Sequence, residues 1–197
     1  MSAGLRERKK LKTRAAIQKE AMRLFLDKGF AETTIEDIAE AVEISPSTFF
    51  NYFPSKEDVV FQDELDPLIL AAFDAQPGDV NPIARLRAAM RQVFTQLTPE
   101  QERLMRQRTQ LMVSTPELRG AMLSQFADLV DQVAGLLASR TGRDARDFAL
   151  RNMAGAVLGV LMTMVVVMAQ DPSADMVHLA DSALAHLEAG LPLDWKA

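Results

Sequence analysis

Apolar residues along this chain recur at three- and four-residue intervals, and that spacing predicts helices throughout. Ile17, Ala21, Leu24 and Phe25 share one face of a segment from about Arg8 to Lys28, and Gly29 follows at the position where a left-handed residue ends a helix. Thr34 and Asp37 make a capping-box start for a second, short helix that buries Ile35, Ile38, Ala39 and Val42. Ser45 supplies an N-cap oxygen and Pro46 takes the first helical position, where its missing N–H costs nothing. A third helix therefore starts there and carries Ser47 to Tyr52, until Pro54 stops it. Ser55 opens a fourth through Lys56, Glu57 and Asp58, and the apolar pattern from Val59, Val60 and Phe61 extends it to about Gln76.

Beyond the break at Pro77-Gly78-Asp79, proline and glycine divide longer helical stretches at roughly 81–97, 99–113, 116–140, 144–169 and 174–190. No strand alternation competes, and there is no solenoid repeat or low-complexity tract. The pattern gives an all-α chain of about nine helices: a three-helix head with a helix-turn-helix over 1–54, and a helical body over 55–197. The apolar run Met153 to Ala169 falls short of the ~20 residues a bilayer needs and contains Gly155, Gly159 and Thr163. It is expected as a helix buried on nearly all sides of a soluble bundle, with no membrane partner. Gly155 and Gly159, four apart, would let another helix come close.

Composition narrows the chemistry. Hydrophobic residues make up 48% of the 197, enough for a real core. The absence of cysteine excludes disulfides, thiolate metal sites and cysteine nucleophiles. The positive charges of the amino terminus have no apolar stretch behind them, so no secretory signal is read there and a cytoplasmic home is expected. The net charge of −5 hides an asymmetry: residues 1–56 sum to +2 and the remainder to −7. Arg6, Arg8, Lys9, Lys10, Lys12 and Arg14 face only Glu7 in the first fourteen residues, a basic arm on an acidic body suited to a confined phosphate-binding surface. A solvated terminus is the plainer reading of that run by itself.

Two short helices joined by a tight turn, the second N-capped and preceded by a basic helix, are the geometry of a helix-turn-helix. Ala39, Val42, Ile44, Phe49 and Phe53 are spaced to lock the two helices. Ser47, Thr48, Asn51 and Tyr52 are then left for a major groove, and the helix starts offer N–H groups to phosphate. Phe50 is adjacent to Phe49 and cannot face the same way, so it is expected at the surface.

The runs Thr34-Ile-Glu-Asp-Ile-Ala39 and Ser45-Pro-Ser-Thr-Phe-Phe-Asn-Tyr-Phe-Pro-Ser-Lys-Glu-Asp-Val-Val60 resemble the DNA-binding signature of the TetR family of regulators, over roughly residues 10–62. The resemblance implies a homodimer on double-stranded operator DNA and a body that binds a small-molecule effector. Thr34, Ser45, Pro46, Ser47, Thr48, Phe50, Asn51, Tyr52 and Lys56 match family positions at the DNA surface, with Lys56 as a phosphate contact and Tyr52 as a phenol that positions the backbone. Two residues depart from the family pattern: Glu43 stands where the turn usually carries glycine, and Phe50 where tyrosine is common. The first puts an acid near DNA. The second loses one hydroxyl-to-phosphate bond and allows contact with a thymine methyl.

Met90, Met105, Met112, Met122, Met153, Met162, Met164 and Met168, eight of the eleven methionines, lie in the body. They point to an adaptable apolar interior, either as core filling or as a pocket lined by Phe94, Met112, Phe126 and Met162. Phe49-Phe-Asn-Tyr-Phe-Pro-Ser-Lys-Glu-Asp58, with Pro116-Glu-Leu-Arg119 and Arg140-Thr-Gly-Arg143, is similar to an actinobacterial subgroup of the family that includes mycofactocin-type regulators. That likeness implies acyl-coenzyme A effectors, with Arg108, Arg119 or Arg143 near the pocket mouth, although another hydrophobic compound suits the pocket equally. The last two long helices, at about 144–169 and 174–190, carry apolar stripes, that of the second made by Val177, Ala180, Leu184 and Leu187, which with their symmetry mates would form a four-helix dimer interface. His178 and His186, with Asp175 or Asp181, suit an interface or solvent better than a metal, and no cofactor is expected. No ordered catalytic set is present, so no enzymatic activity is expected; a helical enzyme or binding module with an incidental helix-turn-helix is the alternative function.

Overall fold

The computed structural model describes residues 2–62, 65–171 and 173–193, with the side chains of 2–7 outside the description. Ten helices and no strand occur among the described residues. The chain forms two compact units, Met1–Glu64 with Thr115–Leu118, and Leu65–Ser114 with Arg119–Ala197.

The first unit contains α1 (Ser2–Lys28), α2 (Ile35–Ala41), α3 (Pro46–Phe50) and α4 (Lys56–Phe61). Helix α1 begins six residues before the expected start at Arg8. Gly29 ends it with φ of 93° and an N–H donated to the Phe25 carbonyl at 3.1 Å. Ile17, Ala21, Leu24 and Phe25 of α1 are buried with Ile38 and Ala39 of α2, Phe49 of α3, Phe53, and Val59 and Val60 of α4. Thr33, also buried, donates its hydroxyl to the Gly29 carbonyl at 2.8 Å, so its burial leaves no orphan donor. The sequence boundary at residue 54 leaves α4 to the body, whereas its two buried valines group it with the head.

The second unit contains α5 (Asp66–Asp74), α6 (Pro82–Phe94), α7 (Pro99–Ser114), α8 (Pro116–Thr141), α9 (Phe148–Gln170) and α10 (Met176–Glu188), apart from the first three residues of α8, Pro116 to Leu118. The sequence reading ran one helix from Ser55 to about Gln76; the structure has two, α4 and α5, which raises the count from nine to ten. Pro67 explains the correction. It has no N–H for a helical bond and is tolerated only in a first turn, so the backbone turns extended at Gln62 and restarts with the proline in the first turn of α5.

Polar caps open the body helices: Asn81 for α6, Asp147 for α9 and Asp175 for α10, while Thr98 and Gln101 exchange bonds of 2.9 and 3.3 Å at α7. Phe73, Met90, Phe94, Met164, Met168, Met176, Ala180 and Leu184 form one core shared by α5, α6, α9 and α10. A smaller cluster of Ala134, Ala138, Leu150 and Ala154 packs α8 on α9 through small residues. Arg87 and Arg91 of α6 bind Asp181 of α10, and Arg87 also reaches Glu188 at 2.6 Å.

Two expectations about the last helices need correction. The stripe of Val177, Ala180, Leu184 and Leu187 is spent inside the chain: Ala180 and Leu184 are core residues, and Val177 and Leu187 pack against the same cluster. Helix α9 is long and apolar enough by composition to cross a membrane, yet only 17% of its apolar window is buried in one chain, not nearly all of it. Its buried positions, Leu150, Ala154, Val157, Met164 and Met168, trace one face. Ala156, Gly159 and Thr163 remain exposed on it.

Candidate nucleic-acid interface

Helices α2 and α3 are joined by four residues, Val42 to Ser45, whose backbone is set by hydrogen bonds. The Glu43 N–H donates to the Glu40 carbonyl at 3.0 Å and the Ile44 N–H to the Ala39 carbonyl at 2.9 Å, the paired bonds of a Schellman ending. That ending requires a left-handed residue, and Glu43 takes it with φ of 58°. An acid in the turn is therefore also a source of backbone strain, since it pays for a conformation that glycine adopts freely.

The start of α2 is a full capping box: Thr34 Oγ1 accepts from the Asp37 N–H at 3.1 Å, and Asp37 Oδ2 accepts from the Thr34 N–H at 2.9 Å. The Thr34 N–H, then Lys28 and the Thr34 hydroxyl, hold the Asp37 carboxyl down to about 2. Ser45 caps α3 by accepting from the Thr48 N–H at 3.1 Å, and its hydroxyl also lies 2.8 Å from those of Ser47 and Thr48. Pro46, Ser47, Phe50 and Asn51 are exposed, as are Thr34 and Ser45, while Thr48 and Tyr52 are half-buried. Regular helix ends at Phe50, so Asn51 and Tyr52 sit in the following turn and not in the helix.

Phe49 and Phe53 are fully buried, with ring centroids 6.0 Å apart, while Phe50 is 53% exposed and meets Phe49 edge-on at 5.7 Å. The helix period decides this split, because neighbours on a helix point about 100° apart. Burial of Phe49 and Phe53 anchors α3, and burying such a side chain is worth about 2–3 kcal/mol. Phe50 is left as an aromatic face on the solvent side of the same short helix.

The basic residues divide. Arg8, Lys9, Lys10 and Lys12 are exposed on α1, whereas the side chain of Arg6 lies outside the described residues. Arg14 is turned inward: it stands 4.4 Å over the Phe53 ring, donates to the Tyr52 carbonyl at 3.1 Å and bonds Gln62. Gln18 adds a bond of 2.6 Å to the Gln62 carbonyl. Lys56 is also engaged within the unit, with its ammonium donating to the carbonyls of Phe30, Ala31 and Thr33 at 2.9, 3.5 and 3.2 Å. A phosphate would have to take Lys56 from one of those carbonyls. Neither Arg14 nor Lys56 shows this role in sequence, because the carbonyls they satisfy are brought to them only by folding.

In the second unit a cleft of about 410 Å³ opens among α5, α6, α8 and α9. Ile69, Phe73, Leu86, Met90, Val133 and Val157 are among its apolar walls, and Asp66, Gln132 and Arg140 are its polar lining. Phe94, Met112, Phe126 and Met162 do not line it; Phe94 sits in the core beside Met90, and the other three are half-buried. Arg140 does line it, a placement that the sequence spacing does not reveal. Asp175 and Asp181, the carboxylates beside the histidines, are occupied by the α10 cap and by Arg87 and Arg91.

Residues 17–62 match the family model of bacterial regulatory proteins of the tetR family, and residues 80–192 match that of the MftR C-terminal domain. The transcriptional regulator TcmR of Streptomyces glaucescens is 36% identical over 73% of this chain and 67% of its own length. MftR of Mycobacterium tuberculosis is 26% identical over 87% of each chain. Among solved structures, FadR of Thermus thermophilus, a TetR-family repressor in complex with lauroyl-CoA, aligns with a TM-score of 0.55 at 25% identity, covering 93% of this chain and 97% of that one. With both units matched and the capped α2–turn–α3 exposing Ser47, Phe50 and Asn51, the chain belongs to the TetR family of DNA-binding transcriptional regulators.

Proposed function

We propose that this protein is a cytoplasmic homodimeric repressor that holds a pseudo-palindromic operator through α3 and releases it when a small apolar or acyl-type compound enters the cleft of the second unit. The observation that carries the first half is α3 itself: a helix anchored by buried Phe49 and Phe53, with Ser45, Pro46, Ser47, Phe50 and Asn51 at the surface. In this reading Thr34, Ser47, Thr48 and Tyr52 meet the phosphates or base edges, and the lysines of α1 add sequence-independent attraction. Two-fold symmetry would set two copies of α3 about 34–36 Å apart, one turn of duplex.

The dimer is assigned to the exposed side of α9, where Ala156, Gly159 and Thr163 allow close approach of a second helix. The cleft supports the effector half because its walls are almost wholly apolar. Acyl-coenzyme A thioesters are one candidate class, since the FadR neighbour carries lauroyl-CoA. Release needs only that the effector bind more tightly to the state that fits DNA less well. A mobility-shift titration on the DNA upstream of the coding sequence tests the whole reading. Binding should weaken with salt and with added effector; salt-insensitive failure to bind any duplex would favour a helical enzyme or binding module instead.

A further inference from the structure

One end of the cleft in the second unit carries Arg140 in its lining, and Arg85 stands near the same wall residue, Phe73. Phe73, in the wall, has two guanidinium groups near its ring: Arg85 of α6, 4.4 Å from the ring centroid and not part of the lining, and Arg140 of α8, 5.6 Å away and part of it. Arg140 bonds the Asp74 carboxylate through Nε and Nη2 and donates Nη1 to the Leu136 carbonyl at 3.2 Å. Arg85 donates Nη2 to the Phe73 carbonyl at 3.1 Å, while its Nε is buried without an acceptor. Among the described residues no carboxylate pairs with Arg85, so two cations meet one ion-paired carboxylate, that of Asp74, around this ring. The other acid of the lining, Asp66, lies nearly two turns away along α5, about 10 Å by helix rise.

A purely apolar ligand would leave that excess charge unanswered. We infer that the cleft selects compounds with an apolar body and one carboxylate head, and that Arg140, backed by Arg85, is the residue that recognises the head. This rests on the cleft being the effector site. The head competes with Asp74 for Arg140. Asp74 is half exposed, so giving up its surface ion pair costs little, while a carboxylate reaching Arg140 from inside the cleft gains a charge-assisted bond. Ile69, Leu86, Met90, Val133 and Val157 would take the body.

The test is displacement of the neutral fluorophore N-phenylnaphthylamine from the full-length protein by decanoate and by decanamide, which share a chain and differ in charge. Decanoate should displace it at a concentration about ten-fold lower. Arg140→Gln should bring the two level. Asp74→Asn, which removes the competitor and adds no clash, should tighten decanoate and leave decanamide unchanged, and it serves if Arg140→Gln fails to fold. Equal displacement in the parent protein, or a preference untouched by both substitutions, overturns the inference while leaving the cleft as an apolar effector site. A fluorophore that does not bind at all overturns both the inference and the effector half of the proposed function. Operator binding, measured separately, is unaffected by either outcome.

Discussion

Lys56 and Phe30 are joined twice: the ammonium donates to the Phe30 carbonyl at 2.9 Å and stands 4.4 Å over the ring of the same residue. The bonds to Ala31 and Thr33 complete a clamp that ties the start of α4 to the turn after α1. A lysine that satisfies three carbonyls in a turn supports the fold first, and any contact with phosphate competes with that role.

Lys56→Met should therefore destabilise the first unit by about 2 kcal/mol, since hydrogen bonds to charged groups are worth about 1.5–3 kcal/mol and carbonyls are left unpaired. Urea unfolding followed by circular dichroism reads this. A phosphate role predicts something different: weaker operator binding with a salt slope lower by about one, and unchanged stability.

Glu43→Gly removes the left-handed strain of the Schellman ending and should raise stability by about 1 kcal/mol. The lost negative charge should also strengthen binding to any duplex at low salt. Thermal unfolding together with a salt series on non-operator DNA separates the two effects.

Phe49→Ala and Phe50→Ala, one residue apart, should have opposite phenotypes. The first empties a fully buried site and should cost about 3–5 kcal/mol. The second should stay within about 1 kcal/mol, because Phe50 is half exposed, yet lower operator affinity several-fold. A Phe50→Ala protein that binds its operator as the parent does would remove Phe50 from the interface.

Acid should loosen the start of α2. The Asp37 carboxyl titrates at about 2 when folded, below its ordinary 3.8, so folding favours the charged form. Its contribution is complete above about pH 4 and is lost as pH falls through about 2. Asp37→Asn should flatten the acid limb of the stability curve between those values and leave the limb above pH 5 unchanged in shape.

Gly159→Arg tests the dimer. A Cβ there meets nothing within 4 Å in the chain, so one copy accommodates the change. Light scattering should then report the mass of one chain, with helical content retained and operator affinity reduced. A protein that still has the mass of two chains would move the interface away from this side of α9.

Much of the head was legible in the residues because its signals are local. A hydroxyl three residues from an N–H caps a helix wherever it occurs, so Thr34, Ser45 and Ser55 marked three helix starts, and the helix period alone sorted Phe49 and Phe53 inward and Phe50 outward. The break at Pro67 was equally local and still missed, because the apolar pattern on its two sides reads as continuous.

The residues by themselves carried the all-α class, the capped starts of α2, α3 and α4, and the family to which the head belongs. Tertiary structure decided which partners distant residues find: Lys56 with three carbonyls, Arg14 with Phe53, the α10 stripe with its own core, and Arg85 and Arg140 with Phe73. The physical reason is range. Caps and periods act within four residues, whereas Arg140 meets a carboxylate 66 residues away, a meeting that no local spacing records.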